Sequence, residues 1–262
     1  MRIISICPSN TEIIEYLGLS QLLVGVDDYS DWPESIKTLP RLGPDLSIDM
    51  DKVESLQPDL VIASLSVPGM EKNIEQLESR KIPYIVLNPQ SFSDIESDLK
   101  VTAVALGKPE LGVTASQQFR SKIDAIKTIG NRISNKPTLY WEWWPKPVFT
   151  PGKINWLTEL SELVGASNAY KDVDLASVQT DWDDVYKRNP DYICLAWVGV
   201  RKDKVNPEII KKRPGWDQLE CVKKEQILVL EEELFCRPSP RLIEGAIRLG
   251  KLLHPSQFSH LD

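Results

Sequence analysis

The chain has 262 residues, of which 42% are hydrophobic and 26% are charged, a composition typical of a globular protein with one large or two modest domains. Its net charge of −7 and pI of about 5.1 argue against a nucleic-acid-binding protein, because no basic stripe is available to neutralise phosphates. No apolar run approaches the roughly 18–20 residues that a membrane span requires.

The amino terminus and the cysteines indicate a compartment. A strand is predicted over residues 2–7, directly after Met1, which leaves no room for the basic and apolar regions of a signal peptide. Cys7, Cys194, Cys221 and Cys236 show no close pairing, which favours reduced and buried thiols. We therefore expect a cytoplasmic protein, or a periplasmic or cell-surface one if a leader has been removed.

Strands and helices alternate through the first 108 residues. Strands are predicted at residues 2–7, 22–26, 60–64 and 84–87, and helices at residues 11–17, 50–56, 71–79 and 94–106. Pro8, Ser9 and Asn10 are expected to form a turn, with Ser9 or Asn10 capping the first helix. This alternation predicts βαβ units and a mainly parallel sheet.

Residues 109–135 are predicted to form a linker helix. Apolar residues recur at helical spacing from Leu111 to Ile129, and the helix is expected to end at Gly130. A helix of roughly 20 residues spans about 30 Å, which is long enough to connect two lobes.

The pattern of the first half repeats in the second. Asp49 and Asp181 begin matching Asp-x-Asp motifs 132 residues apart, whereas Val86 and Val229 belong to matching strands 143 residues apart. The second half therefore contains 11 extra residues, which we assign to the charged segment 202–213 and expect to be a solvated loop.

These offsets predict an α/β protein of two homologous lobes with mainly parallel sheets. The lobes cover residues 1–108 and 136–262, and one long linker helix over residues 109–135 joins them. A ligand is then expected in the cleft between the lobes.

Three tryptophans fall within four residues at the start of the second lobe. Trp141, Trp143 and Trp144 follow a strand pattern that begins at Thr138, and the prolines behind them forbid a helix before Asn155. Large rings are thus expected on a stiff loop at the carboxyl end of a strand, where open α/β sheets bind ligands. The alternative is a core cluster that binds no ligand.

Groups suited to catalysis are scarce. The only histidines, His254 and His260, lie near the C-terminus, which argues against a histidine metal cluster and against a Ser-His-Asp triad. No glycine-rich phosphate loop and no Cys-x-x-Cys motif is present. We predict that the chain is not an enzyme, that it has no catalytic or metal site and that it requires no cofactor.

Five stretches carry a resemblance to a known family. They are Pro8-Ser9-Asn10-Thr11-Glu12, Tyr29-Ser30-Asp31-Trp32-Pro33, Pro58-Asp59-Leu60-Val61-Ile62-Ala63, Phe149-Thr150-x-Gly152-Lys153 and Ser239-Pro240-Arg241. On these residues nearly the whole chain resembles the helical-backbone (class III) substrate-binding proteins of ABC importers, most closely their periplasmic cobalamin-binding branch.

The resemblance implies a solute-binding protein that holds a flat, cobalamin-like corrinoid between its lobes without changing it chemically. A siderophore- or haem-type chelate receptor is one alternative. Another is a cytoplasmic enzyme of cofactor metabolism on the same fold, with Glu142 or Glu233 as acid or base and Arg237 as an anion clamp.

The resemblance also implies the contact residues. Carried over by position, the ligand contacts fall on Ser9, Tyr29, Ser64, Trp143, Phe149, Glu233 and Arg237, to which we add the rings of Trp144 and Trp197. Glu233 and Arg237 match an acid and an arginine that face the ligand's amides, and we expect them to act as a hydrogen-bonding pair. Asp51 and Asp183, one in each lobe, match the acids with which such proteins dock on a membrane permease. We expect a monomer that is not inserted in the membrane.

Overall fold

The computed structural model describes residues 1–261 and divides into two compact units. Unit 1 comprises Met1–Arg120 with Pro238–Pro240, and unit 2 comprises Ser121–Arg237 with the chain from Arg241 onward. The division falls inside the segment that the sequence predicts to be a linker helix. Among the helices of residues 1–261, none combines the length and the apolar character needed to cross a membrane.

Unit 1 is built on one parallel sheet. In chain order its elements are β1 (Ile3–Ser5), α1 (Pro8–Tyr16), β2 (Leu23–Val26), α2 (Met50–Ser55), β3 (Leu60–Ser64), α3 (Glu71–Ser79), β4 (Tyr84–Leu87) and α4 (Phe92–Ala105), followed by α5 (Pro109–Gly130). The strand order is β2-β1-β3-β4, and all neighbours are parallel. Ile3 and Ile4 point to opposite faces of the sheet and both are completely buried, so the sheet is covered on both sides, as its continuous apolar strands predict.

The first helix begins at Pro8 rather than at Thr11, so the predicted turn over Pro8, Ser9 and Asn10 is wrong. Proline suits the first helical position because a main-chain N–H there would have no partner within the helix, so its absence costs nothing. The fixed φ of proline also matches a helix. Asn10 does not cap the helix but donates from Nδ2 to the carbonyl oxygens of Ile62 at 3.2 Å and Ala63 at 2.9 Å. This side chain therefore joins α1 to β3.

The long helix α5 ends at Gly130, as predicted. A Cβ atom at this position would lie 2.1 Å from the carbonyl oxygen of Leu163, closer than any real side chain is found. Glycine is thus required because the main chain at the end of α5 passes directly against that carbonyl.

Unit 2 has a second parallel sheet and a small antiparallel one. Its elements are β5 (Thr138–Glu142), β6 (Trp144–Pro145), β7 (Val148–Pro151), α6 (Trp156–Leu163), β8 (Ser167–Asn168), β9 (Ser177–Thr180), α7 (Trp182–Arg188), β10 (Tyr192–Leu195), α8 (Glu208–Lys211), α9 (Glu220–Lys223), β11 (Ile227–Val229), α10 (Glu232–Phe235), α11 (Leu242–Leu253) and α12 (Pro255–Phe258). The parallel sheet has the order β11-β10-β5-β8, and β6-β7-β9 is antiparallel. The predicted proline loop after β5 is therefore an antiparallel hairpin.

The two parallel sheets confirm that the lobes are homologous. Read from its other edge, the sheet of unit 2 has the order β8-β5-β10-β11, which is equivalent to β2-β1-β3-β4. The helices α2 and α7 also begin alike: the Asp49 carboxylate accepts from the Lys52 main-chain N–H at 3.2 Å, and the Asp181 carboxylate accepts from that of Asp184 at 2.9 Å. The repeated Asp-x-Asp motif thus caps the equivalent helix of each unit.

The charged segment 202–213 is only partly the solvated loop that its sequence predicts, because most of its charged side chains are exposed but others are packed. It contains α8, and within it Ile210 and Arg213 are 0% and 3% exposed. At its beginning, the Lys202 ammonium pairs with the Glu231 carboxylate at 3.0 Å. Tertiary contacts, which local composition does not reveal, decide which of these residues is buried.

Candidate ligand-binding site

The β6–β7 hairpin presents the aromatic residues that follow β5. Trp144 lies opposite Phe149 in the antiparallel pair, and the Trp143 main-chain N–H donates to the Phe149 carbonyl oxygen at 2.9 Å. Trp144 is 43% exposed, its indole donates to the Lys146 carbonyl oxygen at 3.1 Å, and Phe149 is half-buried. The hairpin therefore holds two accessible rings as cross-strand neighbours at the carboxyl end of β5.

The other two tryptophans of this region differ in environment. Trp141 is completely buried, donates to Ser161 Oγ at 3.0 Å and packs against Phe235 with 5.5 Å between ring centroids. Trp143 is half-buried, lies 5.8 Å from the Trp156 ring, and within residues 1–261 its Nε1 has no hydrogen-bond partner. The core interpretation therefore holds for Trp141, whereas Trp143 keeps part of its ring exposed and its donor unused.

Glu142, the last residue of β5, is completely buried and yet fully hydrogen-bonded. Its carboxylate accepts from Tyr140 Oη at 2.7 Å, from Trp197 Nε1 at 3.1 Å and from two guanidinium nitrogens of Arg213 at 2.6 and 2.7 Å. Burial, together with the charge of this carboxylate, raises the pKa of the Tyr140 phenol well above its ordinary value. Because about four acceptor positions exist on a carboxylate and four bonds occupy them, Glu142 is a structural anion and is not placed to act as the acid or base of the enzyme alternative.

Arg213 supplies the charge that compensates Glu142. Its side chain is 2% exposed, and its guanidinium carbon lies 4.9 Å from the centroid of the Trp182 ring and 4.5 Å from that of Trp216. Arginine suits this place because its planar group stacks on rings while its fork of donors matches a carboxylate. Sequence reasoning missed this residue, and the only signal for it is an arginine that ends a run of lysines just before Pro214.

The segment after β10 is tied to the end of β5. In addition to the Trp197 indole bond, the main-chain N–H groups of Ala196 and Val198 donate to the carbonyl oxygens of Glu142 and Trp143, each at 3.1 Å. Trp197 is half-buried and packs against the core of unit 2. The structure thus brings Trp197 beside the segment that carries the predicted contact Trp143.

Glu233 and Arg237 lie in and just after the short helix α10. Glu233 is half-buried, and Arg237 is 9% exposed. Arg237 donates from Nε and Nη2 to Glu232 Oε2 at 3.2 and 3.1 Å. Arg237 thus pairs with Glu232, the residue before its predicted partner Glu233.

In unit 1 the exposed candidate is Tyr29, which is 51% exposed in the loop after β2. Its main-chain N–H and that of Ser30 donate to the Asp27 carboxylate at 2.8 and 3.1 Å. Asp27 is completely buried, and burial raises its pKa to about 6 although these hydrogen bonds act in the opposite direction. Sequence reasoning missed Asp27. The available signal is its position at the start of a loop, where an aspartate commonly accepts from the main-chain N–H two residues later, as in an Asx-turn.

Ser9 and Ser64 lie near the carboxyl ends of the neighbouring strands β1 and β3 but are only 3% and 4% exposed. Ser9 Oγ is 3.2 Å from the Cys7 sulfur, and Ser64 Oγ is 2.8 Å from Ser66 Oγ. Burial raises the pKa of the Cys7 thiol to about 11, so it stays protonated at neutral pH. The two serines therefore offer hydroxyl groups but little surface.

Asp51 and Asp183 occupy equivalent first-turn positions in α2 and α7. The Asp51 side chain is 86% exposed and accepts from Arg80 at 2.6 Å, and Asp183 is exposed beside a surface cavity of about 470 Å³. Lys146 borders this cavity and lies 5.0 Å from the centroid of the Trp182 ring. Within residues 1–261, no group of three or more His, Cys, Asp or Glu side chains is placed to hold a metal ion.

Comparison with known proteins identifies the class. The model of the periplasmic binding protein family matches residues 3–234, and the chain belongs to this family. The resemblance seen in the sequence is thereby confirmed, as is the two-lobed α/β fold.

Individual relatives add detail. The chain is 31% identical over 267 residues to an uncharacterised ABC transporter substrate-binding lipoprotein of Bacillus subtilis, covering 98% of this chain and 81% of the relative. It is 28% identical over 252 residues to the vitamin B12-binding protein of Yersinia pestis, covering 95% of this chain and 84% of the relative. A periplasmic haem-binding protein of Pseudomonas aeruginosa has the same fold, with a TM-score of 0.85 at 22% identity over 97% of this chain and 93% of that one.

The family is one of binding proteins, and the relative with 31% identity is named an ABC transporter substrate-binding lipoprotein, which confirms the prediction that the chain is not an enzyme. The relatives give no support to the predicted cytoplasmic location, because the curated relative with 31% identity is named a lipoprotein.

Proposed function

We propose that this protein is the solute receptor of an ABC importer and that its ligand is a corrinoid. The observation that carries the proposal is the set of three partly exposed rings just after β5, namely Trp143, Trp144 and Phe149. The relative that is named a vitamin B12-binding protein supports the choice of ligand. A periplasmic or cell-surface location agrees with this role.

The rings suit a large, flat and mostly uncharged ligand. Trp144 leaves 43% of its surface exposed, so covering it removes about 100 Å² from water, worth about 2.5 kcal/mol at 25 cal/mol/Å². Trp143 and Phe149 are half-buried and add further aromatic surface to that of Trp144.

The proposed ligand contacts are those that the resemblance implies, with two added rings. They are Ser9, Tyr29, Ser64, Trp143, Trp144, Phe149, Trp197, Glu233 and Arg237. In this set the rings supply most of the binding energy, and the polar side chains fix the orientation of the ligand.

A haem-type chelate is the second candidate, because Tyr29 exposes a phenol. A tyrosine oxygen is one of the ligands that proteins provide to haem iron. His254 is not placed for this role. It borders a cavity with Pro137, Tyr192 and Gln226 at the amino ends of the strands, whereas Trp143 lies at the carboxyl end of β5.

Titration separates the two candidates. Purified protein is titrated with cobinamide, cobalamin and haemin, and binding is followed by calorimetry and by ligand absorbance. We expect sub-micromolar binding of a corrinoid that Tyr29→Phe changes less than threefold. Binding of haemin alone would favour the chelate, provided that Tyr29→Phe removes the absorbance change of the bound haemin. If none of the three ligands binds at tens of micromolar, both candidates are refuted.

We further propose that Asp51 and Asp183 contact the permease. Both carboxylates project from the first turns of equivalent helices, where exposed charges can reach a partner. Arg80 partly neutralises Asp51, so we expect Asp183 to contribute more to docking.

A further inference from the structure

The extra segment of unit 2 ends in a residue that acts on a proposed ligand contact. Segment 202–213, to which the sequence offsets assign the extra residues of the second half, brings Arg213 to the buried Glu142 carboxylate. The same carboxylate accepts from the indole of Trp197, a half-buried ring in the proposed ligand-contact set.

We propose that Arg213, acting through Glu142, is a positioning residue that holds the Trp197 indole in one orientation for the ligand. The inference deepens the proposed function and rests on it, because it assigns a purpose to one ring of the proposed contact set.

The chemistry explains why an ion pair is used. A carboxylate at 0% exposure stays charged only when a partner compensates it, and Arg213 does so with two hydrogen bonds at 2.6 and 2.7 Å. A charged acceptor then forms a stronger bond to the Trp197 N–H than a neutral one does. A ring that is held before the ligand arrives loses less freedom on binding, which increases affinity.

The geometry also explains the choice of side chains. Indole provides one N–H donor and no acceptor, so it can approach a carboxylate without repulsion, whereas phenylalanine has no donor. Arg213 is itself held between the Trp182 and Trp216 rings, at 4.9 and 4.5 Å, which fixes the plane of the guanidinium. Lysine would keep the charge but lose both the fork and the stacking.

Three variants test the inference: Arg213→Lys, Trp197→Phe and the double variant. The control is Arg201→Lys, which changes an 82% exposed side chain paired with Asp203 at the surface of the same region. For each variant we measure thermal unfolding, hydrogen exchange of the Trp197 indole N–H by NMR without ligand, and affinity for cobinamide by calorimetry.

We expect Arg213→Lys to fold, to speed exchange of the Trp197 indole N–H at least tenfold and to weaken cobinamide binding about tenfold. Trp197→Phe should weaken binding by a similar factor, and the double variant should lose little more, because both changes remove the same orientation. The Arg201→Lys control should match the wild type in all three measurements.

Wild-type exchange in a folded Arg213→Lys protein, or fully additive affinity losses in the double variant, would overturn the inference. If Arg213→Lys does not fold, Trp197→Phe decides, since it leaves the ion pair intact and removes the ring's donor; unchanged affinity then refutes the role. Failure of the wild type to bind cobinamide would refute the proposed ligand, whereas the exchange measurement, made without ligand, still tests the positioning.

Discussion

Replacing Trp144 by alanine should weaken ligand binding and leave folding almost unchanged. Trp144 is 43% exposed, it stands opposite Phe149 at the edge of a short hairpin, and its indole bond to the Lys146 carbonyl lies at the surface. A cross-strand pair of this kind is worth about 0.2–1 kcal/mol to folding. For a protein of this size the melting temperature should therefore fall by at most about 4 °C.

The effect on binding follows from the same surface. Covering the exposed part of the ring buries about 100 Å² and contributes about 2.5 kcal/mol, so its loss should raise the Kd roughly 70-fold. Trp141→Ala is the matched control, because that ring is three residues away, completely buried and bonded to Ser161. It should destabilise folding by about 3–5 kcal/mol, which lowers the melting temperature by roughly 6–20 °C.

Calorimetric titration with cobinamide and differential scanning calorimetry measure the two quantities. The reasoning is wrong if Trp144→Ala binds cobinamide as tightly as the wild type. It is equally wrong if that variant loses as much thermal stability as Trp141→Ala, because the exposed ring would then be structural.

Three further predictions concern polar residues. Arg237→Lys should weaken cobinamide binding at least tenfold, almost as much as Arg237→Ala, because lysine cannot keep both bonds to Glu232; equal affinities for Arg237→Lys and wild type in the titration would contradict this. Burial raises the pKa of Asp98 to about 7, above its unfolded value, so its contribution to stability is present below about pH 4 and is lost as the pH rises through 7. Asp98→Asn should therefore melt at a higher temperature than wild type at pH 8 and lose this advantage at pH 4, and a constant difference across this range would refute the assignment. Asp183→Lys should reduce ligand uptake by the native host several-fold without changing the Kd, whereas Asp203→Lys, at an exposed site, should leave uptake unchanged; equal uptake in the two variants would remove Asp183 from docking.

Local patterns in the chain were sufficient for much of the fold. Apolar runs such as 60–64 predicted strands because a strand buried on both faces needs no polar alternation. The repeated Asp-x-Asp motif that begins at Asp49 and at Asp181 indicated equivalent positions in the two lobes, and both residues cap their helices through short-range bonds. These features depend on neighbours in sequence, which is why they could be predicted.

The errors occurred where distant residues determine the structure. Asn10 carries the sequence signal of a helix cap, but the carbonyl oxygens of Ile62 and Ala63 bind its side chain. Arg213 reads as the end of a solvated, charged segment, but a carboxylate 71 residues earlier draws it into the core. No local pattern reports such a partner.

The candidate site shows the same division. The sequence alone determined that several large rings follow β5 and that few catalytic groups exist, since both are matters of composition and order. Only the tertiary structure decided that Trp141 belongs to the core, that Trp144 is exposed and that Trp197 is held by Glu142. Three tryptophans with the same chemistry differ because burial and hydrogen bonding depend on which other parts of the chain pack against each ring.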